Sequence, residues 1–285
     1  MSDASAKIEH VSDTARWVAI YRAMESDRPD ALFRDPYARR LAGPRAEQMV
    51  DHIPKGRALA WSMIVRTAVM DELILRAIER DGVGTVLNLA AGLDARPYRL
   101  SLPPSLRWIE ADFPDVIAYK KQQLAGERPA CVLEHVGIDL TDAPRRRALF
   151  AQIAAAARQV LVVSEGLLIY LTADQVAELA GDLAAPPPFR WWLIDLASPG
   201  LLKMIAKQWG GALAAAPFRF APPEGTRFFE PFGWREAEFR STWEESLRLK
   251  RTMRLAWLWS LLGRLYPKRK REEFRRFSGI VMLRR

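Results

Sequence analysis

Residues 85–96 constrain the fold of this chain more than any other stretch. An apolar run from Thr85 to Leu89 is followed by a turn of small residues and then by an acidic residue. This order is typical of a buried strand that enters a ligand-binding turn. Asp112 and Asp139 each follow a further apolar run, as expected if a parallel sheet brings acidic side chains to one shared edge.

Five apolar runs alternate with segments that are compatible with helices, which predicts a doubly wound α/β fold with a mainly parallel sheet. The runs cover residues 85–90, 107–111, 132–138, 160–164 and 191–196, and a last strand is predicted at 279–283. The sequence Thr-Ala-Asp-Gln at Thr172 fits a capping box and predicts the start of a helix after the fourth run.

Helical patterns precede this alternation. Apolar residues recur with helical spacing at 14–24 and 57–79. Residues 1–80 are therefore predicted to form a helical cover over the carboxyl edge of the sheet, and residues 81–285 to form the ligand-binding domain. A Gly- and Pro-rich irregular stretch at about 199–230 is predicted to be a lid-like insertion.

The composition excludes several classes of protein. The 285 residues include one cysteine, Cys131, and three dispersed histidines, so neither a disulfide framework nor a metal site is predicted. The sequence shows no secretion signal and no apolar run long enough to span a bilayer. We therefore expect a soluble cytoplasmic protein.

The net charge of +9 is concentrated near the C-terminus, where residues 248–285 hold 13 Lys and Arg against two Glu. Within this segment a Leu- and Trp-rich run, 255–266, precedes the basic run 268–271. The pattern favours a core-packing helix followed by a solvated run, and the alternative is weak contact with an anionic membrane surface. Nucleic-acid binding is not expected, because aromatic and basic residues are not interleaved as on an RNA-binding sheet.

The turn after the first strand indicates a nucleoside ligand. Gly92 lies in this turn and Asp112 follows it by 20 residues, a spacing at which a carboxylate accepts hydrogen bonds from ribose hydroxyls. A dinucleotide is disfavoured because Ala90 and Ala95 occupy positions where its fingerprint needs glycine. S-adenosylmethionine is therefore favoured over NAD. The alternative role of Asp112 is a helix N-cap before Pro114.

Two further positions have both a ligand-binding and a structural interpretation. Asp139 and Leu140 follow the third run, where a carboxylate can accept the adenine amino group and Leu140 can cover the ring, although a turn or cap is the more ordinary explanation. Arg66 falls on the apolar stripe of its helix between Met63 and Met70. It therefore needs an anionic partner, either a ligand carboxylate or a protein acid, unless it extends to solvent.

Glu165 and Tyr170 follow the fourth run, with an apolar stretch between them. Because the carboxyl ends of strands form the ligand crevice of open α/β sheets, Glu165 is a candidate for the ligand amino group and Tyr170 for orienting an acceptor oxygen. The structural alternative is a satisfied edge carboxylate and a core tyrosine.

Five ordered motifs resemble the leucine carboxyl methyltransferase superfamily, and in particular its bacterial branch of S-adenosylmethionine-dependent enzymes that includes polyketide O-methyltransferases. The motifs cover residues 14–22, 30–37, 88–94, 108–114 and 164–171. The resemblance implies a class I methyltransferase fold, a Rossmann-like sheet that is mostly parallel with an antiparallel last strand. It also implies cofactor contacts from Arg66, Ala90, Gly92, Asp112, Asp139, Leu140 and Glu165, and an acceptor contact from Tyr170. One departure is Ala90, where the family usually has glycine.

The resemblance implies methyl transfer from S-adenosylmethionine to an oxygen, with S-adenosylhomocysteine as product. A carboxylate or acidic hydroxyl of a small, largely apolar, polyketide-like molecule is the expected acceptor, because His10, His52 and His135 all lie outside the strand-end motifs that would place a general base. The alternatives are a protein C-terminal carboxylate as acceptor, or a non-catalytic cofactor-binding protein on an anionic membrane surface.

Overall fold

The computed structural model describes residues 11–44, 46, 50, 56–209, 217–253, 256–263 and 266–285. Seven strands form one sheet in the order β3-β2-β1-β4-β5-β7-β6. The strands are β1 (Thr85–Leu89), β2 (Arg107–Asp112), β3 (Val132–Gly137), β4 (Val160–Ser164), β5 (Phe189–Ala197), β6 (Arg235–Ser241) and β7 (Ser278–Arg284). The first five pair in parallel, whereas β7 runs antiparallel to both β5 and β6. The predicted doubly wound, mostly parallel sheet with an antiparallel last strand is confirmed.

Helices precede, connect and follow these strands. They are α1 (Val11–Ser26), α2 (Ala38–Ala42), α3 (Gly56–Arg80), α4 (Arg96–Arg99), α5 (Pro114–Gln123), α6 (Ala143–Ala156), α7 (Ala173–Ala184), α8 (Pro199–Trp209), α9 (Thr242–Arg248), α10 (Ala256–Gly263) and α11 (Lys268–Arg275). Two 3-10 segments cover Leu168–Tyr170 and Gly225–Phe232. The capping box predicted at Thr172 starts α7: its hydroxyl accepts from the amide of Gln175, whose side chain accepts from the amide of Thr172.

The sheet is buried on both faces because helices cover both of them. Successive side chains of a strand point to opposite faces. Val86 and Val163 pack with α3 on one face. Leu87 and Val162 pack with α6 and α7 on the other. The central strands β1 and β4 are buried throughout, which explains why their sequences are continuous apolar runs.

Helix α1 is held onto the turn that follows β1. Ile20 packs in one cluster with Leu93 and Ala95 of that turn. Arg22 donates from Nη2 to the Leu93 carbonyl at 2.5 Å and from Nε to Asp35 at 2.9 Å. The N-terminal helices thereby cover the carboxyl edge of the sheet next to β1.

Three stretches differ from the sequence prediction. The region 199–230, predicted as irregular, contains α8 and a 3-10 segment, while residues 210–216 lie outside the described residues. Strand β6 was not predicted, because the sequence Arg-Glu-Ala-Glu-Phe-Arg-Ser of this edge strand is largely polar. Helix α10 is only partly a core-packing helix, since Ala256 is buried but Trp257, Trp259 and Leu261 are exposed. Residues 255, 264 and 265 of the predicted run lie outside the described residues.

No helix in the described part of the chain combines the length and the apolar character needed to cross a bilayer.

Candidate active site

A large cavity opens at the carboxyl ends of the parallel strands. Its volume is about 1130 Å³, which is slightly above the roughly 300–1,000 Å³ typical of small-molecule sites. The lining includes every candidate site residue from the sequence: Arg66, Ala90, Gly92, Asp112, Asp139, Leu140, Glu165 and Tyr170. The cavity is therefore large enough for two ligands, and the predicted residues share it.

The turn after β1 forms one wall of the cavity with an unusual backbone. Ala90 and Gly92 both have φ of 50°, which lies in the left-handed region that favours glycine. The Ala90 amide donates to the carbonyl of Ala111 at 2.8 Å, which fixes the turn against the end of β2. A methyl group on Gly92 would lie 3.3 Å from Ala15 of α1. Ala90 therefore holds a strained backbone, whereas glycine at position 92 suits both the left-handed conformation and the narrow space beside α1.

We expect Ala90→Gly to raise the free energy of unfolding by about 1 kcal/mol, because glycine adopts this backbone without the steric cost that an alanine Cβ carries. Urea denaturation would measure the change. Ala91→Gly is the matched control: Ala91 has no positive φ, so the same substitution there should lower stability. A loss of stability in Ala90→Gly would contradict the assigned strain.

Asp112, at the end of β2, faces this turn. Its Oδ2 accepts from the Gly92 amide at 2.6 Å and its Oδ1 from the Phe113 amide at 2.7 Å. The side chain is buried, and burial raises its pKa although the two amides act in the opposite direction. Phe113, not Asp112, occupies the N-cap position of α5. Asp112 is therefore anchored to the turn with its carboxylate at the cavity wall.

Asp139 and Leu140 lie in the loop after β3. Asp139 Oδ1 accepts from the amide and the hydroxyl of Thr141 at 2.8 and 2.7 Å. The cap of α6 is a different residue, Asp142, whose side chain accepts from the Arg145 amide. Asp139 thus shapes a turn and lines the cavity at the same time.

Arg66 projects from α3 into a cluster of acids at the ends of β4 and β5. It donates from Nε to Glu165 at 3.0 Å and from Nη1 to Asp195 at 2.9 Å. Burial would raise the pKa of Glu165, but Arg96 and Arg66 outweigh it and hold that pKa below its ordinary value. Of the alternatives for Arg66, the structure shows the pair with protein acids. The two bonds use two of the five N–H groups of the guanidinium.

Arg96 at the start of α4 connects three carboxylates beneath the cavity. Its Nε donates to Asp71 at 2.6 Å, and its Nη1 donates to Asp94 at 2.8 Å and to Glu165 at 2.7 Å. Burial would raise the pKa of Asp94, but the surrounding cations, led by Arg96, lower it far below its ordinary value. Nη2 of Arg96 is buried and has no hydrogen-bond partner among the described residues. A buried cation at a cavity wall thus retains a donor group.

Tyr170 lies at the end of the 3-10 segment after β4. Its ring packs edge-on against Phe218 at 5.3 Å between centroids, and its side chain is hydrogen-bonded with Thr14 of α1. Burial raises the pKa of the phenol, which keeps it a neutral donor and acceptor at neutral pH. The phenol is therefore fixed where the polar cluster meets the apolar part of the cavity.

Asp195 and Arg96 were missed from the sequence although both line the cavity. Asp195 accepts from Arg66 and, through Oδ1, from the Gly166 amide at 2.7 Å. It is the only charged residue within the apolar run 191–196, and that interruption was the available signal. For Arg96 no such signal exists, because its three acidic partners come from separate parts of the chain.

Three comparisons bear on this architecture. A family model described as leucine carboxyl methyltransferase matches residues 15–184. The chain belongs to this family. Within these residues lie all eight candidate site positions predicted from the sequence, whereas Asp195 lies beyond the matched segment.

Two relatives support membership of the leucine carboxyl methyltransferase family. A Streptomyces coelicolor protein, named as a candidate S-adenosyl-L-methionine-dependent methyltransferase, is 39% identical over 174 residues, which cover 57% of this chain and 60% of that protein. A Frankia alni protein of the same description is 33% identical over 251 residues, covering 82% of this chain and 84% of the relative.

Two solved structures share the fold. A DUF574-family protein from Streptomyces avermitilis gives a TM-score of 0.61 at 13% identity and covers 95% of this chain and 97% of that one. A candidate methyltransferase from Thermobifida fusca gives a TM-score of 0.57 at 16% identity and covers 99% and 96%. These similarities show the class I methyltransferase fold, as expected from the sequence motifs.

Proposed function

We propose that this chain is an S-adenosylmethionine-dependent methyltransferase that methylates an oxygen, a carboxylate or acidic hydroxyl, of a small, largely apolar, polyketide-like molecule. The observation that carries the proposal is the division of the cavity. Acidic and basic groups gather along the strand ends, whereas the wall beyond Tyr170 is mainly apolar and aromatic.

The donor and acceptor groups at the strand ends match the polar groups of the proposed cofactor. Asp112 uses one acceptor position on each oxygen for a backbone amide, and an ionised carboxylate has about four. It can therefore still accept from two ribose hydroxyls. Three N–H groups of Arg66 lie outside its two bonds to Glu165 and Asp195, so cationic donors remain for a carboxylate.

Each site residue then has a binding role. Arg66 would hold the methionine carboxylate, and Glu165 and Asp195 would hold the ammonium group. The turn at Ala90 and Gly92 would lie alongside the methionine portion. Asp112 would hold the ribose, and Asp139 would accept the adenine amino group with Leu140 against the ring. The bound cofactor supplies an activated methyl group on a sulfonium.

The chain's own contribution to catalysis is alignment and exclusion of water. A methyl transfer needs donor and acceptor in line, and the apolar wall holds an acceptor without hydrating it. Neither histidine nor lysine occurs among the described residues that line the cavity. This favours an acceptor that is already ionised, because such a group needs no general base.

An extract experiment tests the proposal. The protein and labelled S-adenosylmethionine are incubated with a bacterial cell extract, which is then separated by size, and the small-molecule fraction is searched by mass spectrometry for compounds that gain one CH₂. Label in small molecules supports the proposal, whereas label only in protein supports the C-terminal carboxylate alternative. Cofactor binding without any label transfer would favour a non-catalytic role.

Tyr170→Phe tests the acceptor role. We expect kcat/KM for the acceptor found above to fall by roughly tenfold, because one orienting hydrogen bond is lost, while the Kd for S-adenosylmethionine stays unchanged. Tyr98→Phe is the control, since Tyr98 does not line the cavity. A change in cofactor affinity with unchanged turnover would show that Tyr170 belongs to the donor site instead.

A further inference from the structure

An aromatic and basic rim surrounds part of the cavity mouth. We call residues 256–263 and 266–275 the C-terminal rim; they comprise α10, the two residues directly before α11, and α11 itself. The exposed fractions of Trp257, Trp259 and Phe274 are 67%, 58% and 55%. Trp259 and Phe274 both line the cavity, and large aromatic residues this exposed mark a surface that contacts something other than water.

Helix α10 presents two different faces. Trp259 and Gly263, four residues apart, line the cavity. Trp257 and Leu261, also four residues apart, are exposed without lining it. Residues with this spacing share a face of a helix. One face of α10 therefore belongs to the cavity mouth, and a neighbouring face carries an indole and a leucine to the surface.

Helix α11 adds positive charge beside these aromatic residues. It contains Lys268, Arg269, Lys270, Arg271 and Arg275 against Glu272 and Glu273. Glu272 pairs with Arg275 and Arg276, and Glu273 pairs with Arg269. In the described part of the chain no ion pair joins an acid to Lys268, Lys270 or Arg271. Arg271 and Phe274 also line the cavity.

We propose that the C-terminal rim docks on an anionic lipid bilayer. Exposed tryptophan, leucine and tyrosine suit the boundary between headgroups and acyl chains. Cations without acidic partners are attracted to the negative surface of anionic lipids. A protein partner fits less well, because the buried centres of protein interfaces are depleted in lysine, whereas here two lysines alternate with arginines beside the aromatic residues.

The C-terminal rim lies at the cavity, so docking on lipid would affect how the acceptor reaches the site. Trp259 of α10, Tyr266 just before α11 and Phe274 of α11 line the cavity, and all three belong to the rim that would contact lipid. An apolar acceptor dissolved in the bilayer would thus enter the cavity without passing through water. This delivery step rests on the proposed methyl transfer, whereas the docking surface does not.

Vesicle co-sedimentation of the full chain tests the docking surface. Phosphatidylcholine vesicles are compared with vesicles in which part of the lipid is phosphatidylglycerol. Binding is expected only to the anionic vesicles and is expected to fall by at least ~10-fold in Lys268→Glu/Lys270→Glu, which reverses two charges. Trp257→Ser/Leu261→Ser should weaken it similarly while leaving the cavity lining intact.

Lys121→Glu/Arg128→Glu is the matched control, because it makes the same charge change at exposed positions near β3, at the opposite edge of the sheet. Equal binding of this control and the Lys268/Lys270 variant would overturn the proposal, and so would equal binding to both vesicle types. A concentration-dependent dimer in sedimentation velocity that Trp257→Ser/Leu261→Ser abolishes would assign the surface to a second copy of the chain.

Entry of the acceptor from the bilayer can be measured separately from docking. For the acceptor found in extract, methyl transfer from anionic vesicles should slow in the Trp257→Ser/Leu261→Ser variant, while transfer to the same acceptor in dilute solution should not change. Equal rates from vesicles in both proteins would overturn delivery. Absence of methyl transfer under all conditions would reject the proposed function and leave the vesicle-binding result to decide docking alone.

Discussion

Replacing Asp112 with alanine is expected to weaken the binding of S-adenosylmethionine by roughly 100-fold. Hydrogen bonds to a charged group contribute about 1.5–3 kcal/mol each, and the carboxylate is expected to accept two of them from the ribose. Isothermal titration calorimetry would measure the Kd of both proteins. Equal affinity would remove the ribose assignment.

The anchoring of Asp112 requires two controls. The Gly92 and Phe113 amides lose their acceptor in the alanine variant, so its thermal unfolding must be compared with that of the original chain. Asp115→Ala changes an exposed carboxylate in the first turn of α5 and should leave the Kd unchanged. If both variants lost affinity equally, the effect would come from the general charge of this region and not from the ribose contact.

Arg96→Met should have the largest effect on stability, lowering the free energy of unfolding by about 3–5 kcal/mol. The substitution removes the cation to which Asp71, Asp94 and Glu165 all accept hydrogen bonds. Glu165 keeps Arg66 and Asp71 keeps Arg99, but Asp94 loses its ion pair. Three carboxylates then lie close together in a largely buried site with one cation fewer, which is costly. Urea denaturation at neutral pH would measure the loss.

Arg147→Met provides the comparison, because Arg147 also bridges two acids, Asp182 and Glu178, but with a side chain that is 57% exposed. Exposed pairs contribute no more than about 1 kcal/mol, so this variant should be nearly as stable as the original chain. Similar losses for the two variants would mean that the burial of Arg96 does not set the strength of its network.

The sequence was most informative where a single short segment determines the local structure. The turn at Ala90 and Gly92 was predicted because an apolar strand leads into small residues, and Asp112 because its spacing from Gly92 is typical of nucleotide folds. Strand β6 and the charge network were not predictable in this way. An edge strand has one solvated side and so lacks a continuous apolar run, and the partners of Arg96 are determined only by tertiary packing.

The backbone at Ala90 is strained in the structure. The sequence left open whether the alanine in place of the family's glycine packs without strain. The φ of 50° places it in the left-handed region, so the substitution carries a conformational cost in this chain. For Asp139 the sequence left open a turn or a ligand-binding position. In the structure Asp139 forms a turn and also lines the cavity.

The walls of the cavity come from two regions of the chain: one lies within the segment that matches the family model, and the other follows it. The residues assigned to the donor lie within the segment 15–184 that matches the family, apart from Asp195. Met204, Leu247, Trp259 and Phe274, which we propose to contact the acceptor, all follow it. We therefore expect acceptor preference to be set mainly outside the segment that matches the family. A chimera that exchanges the C-terminal region between two such relatives would transfer substrate choice along with it.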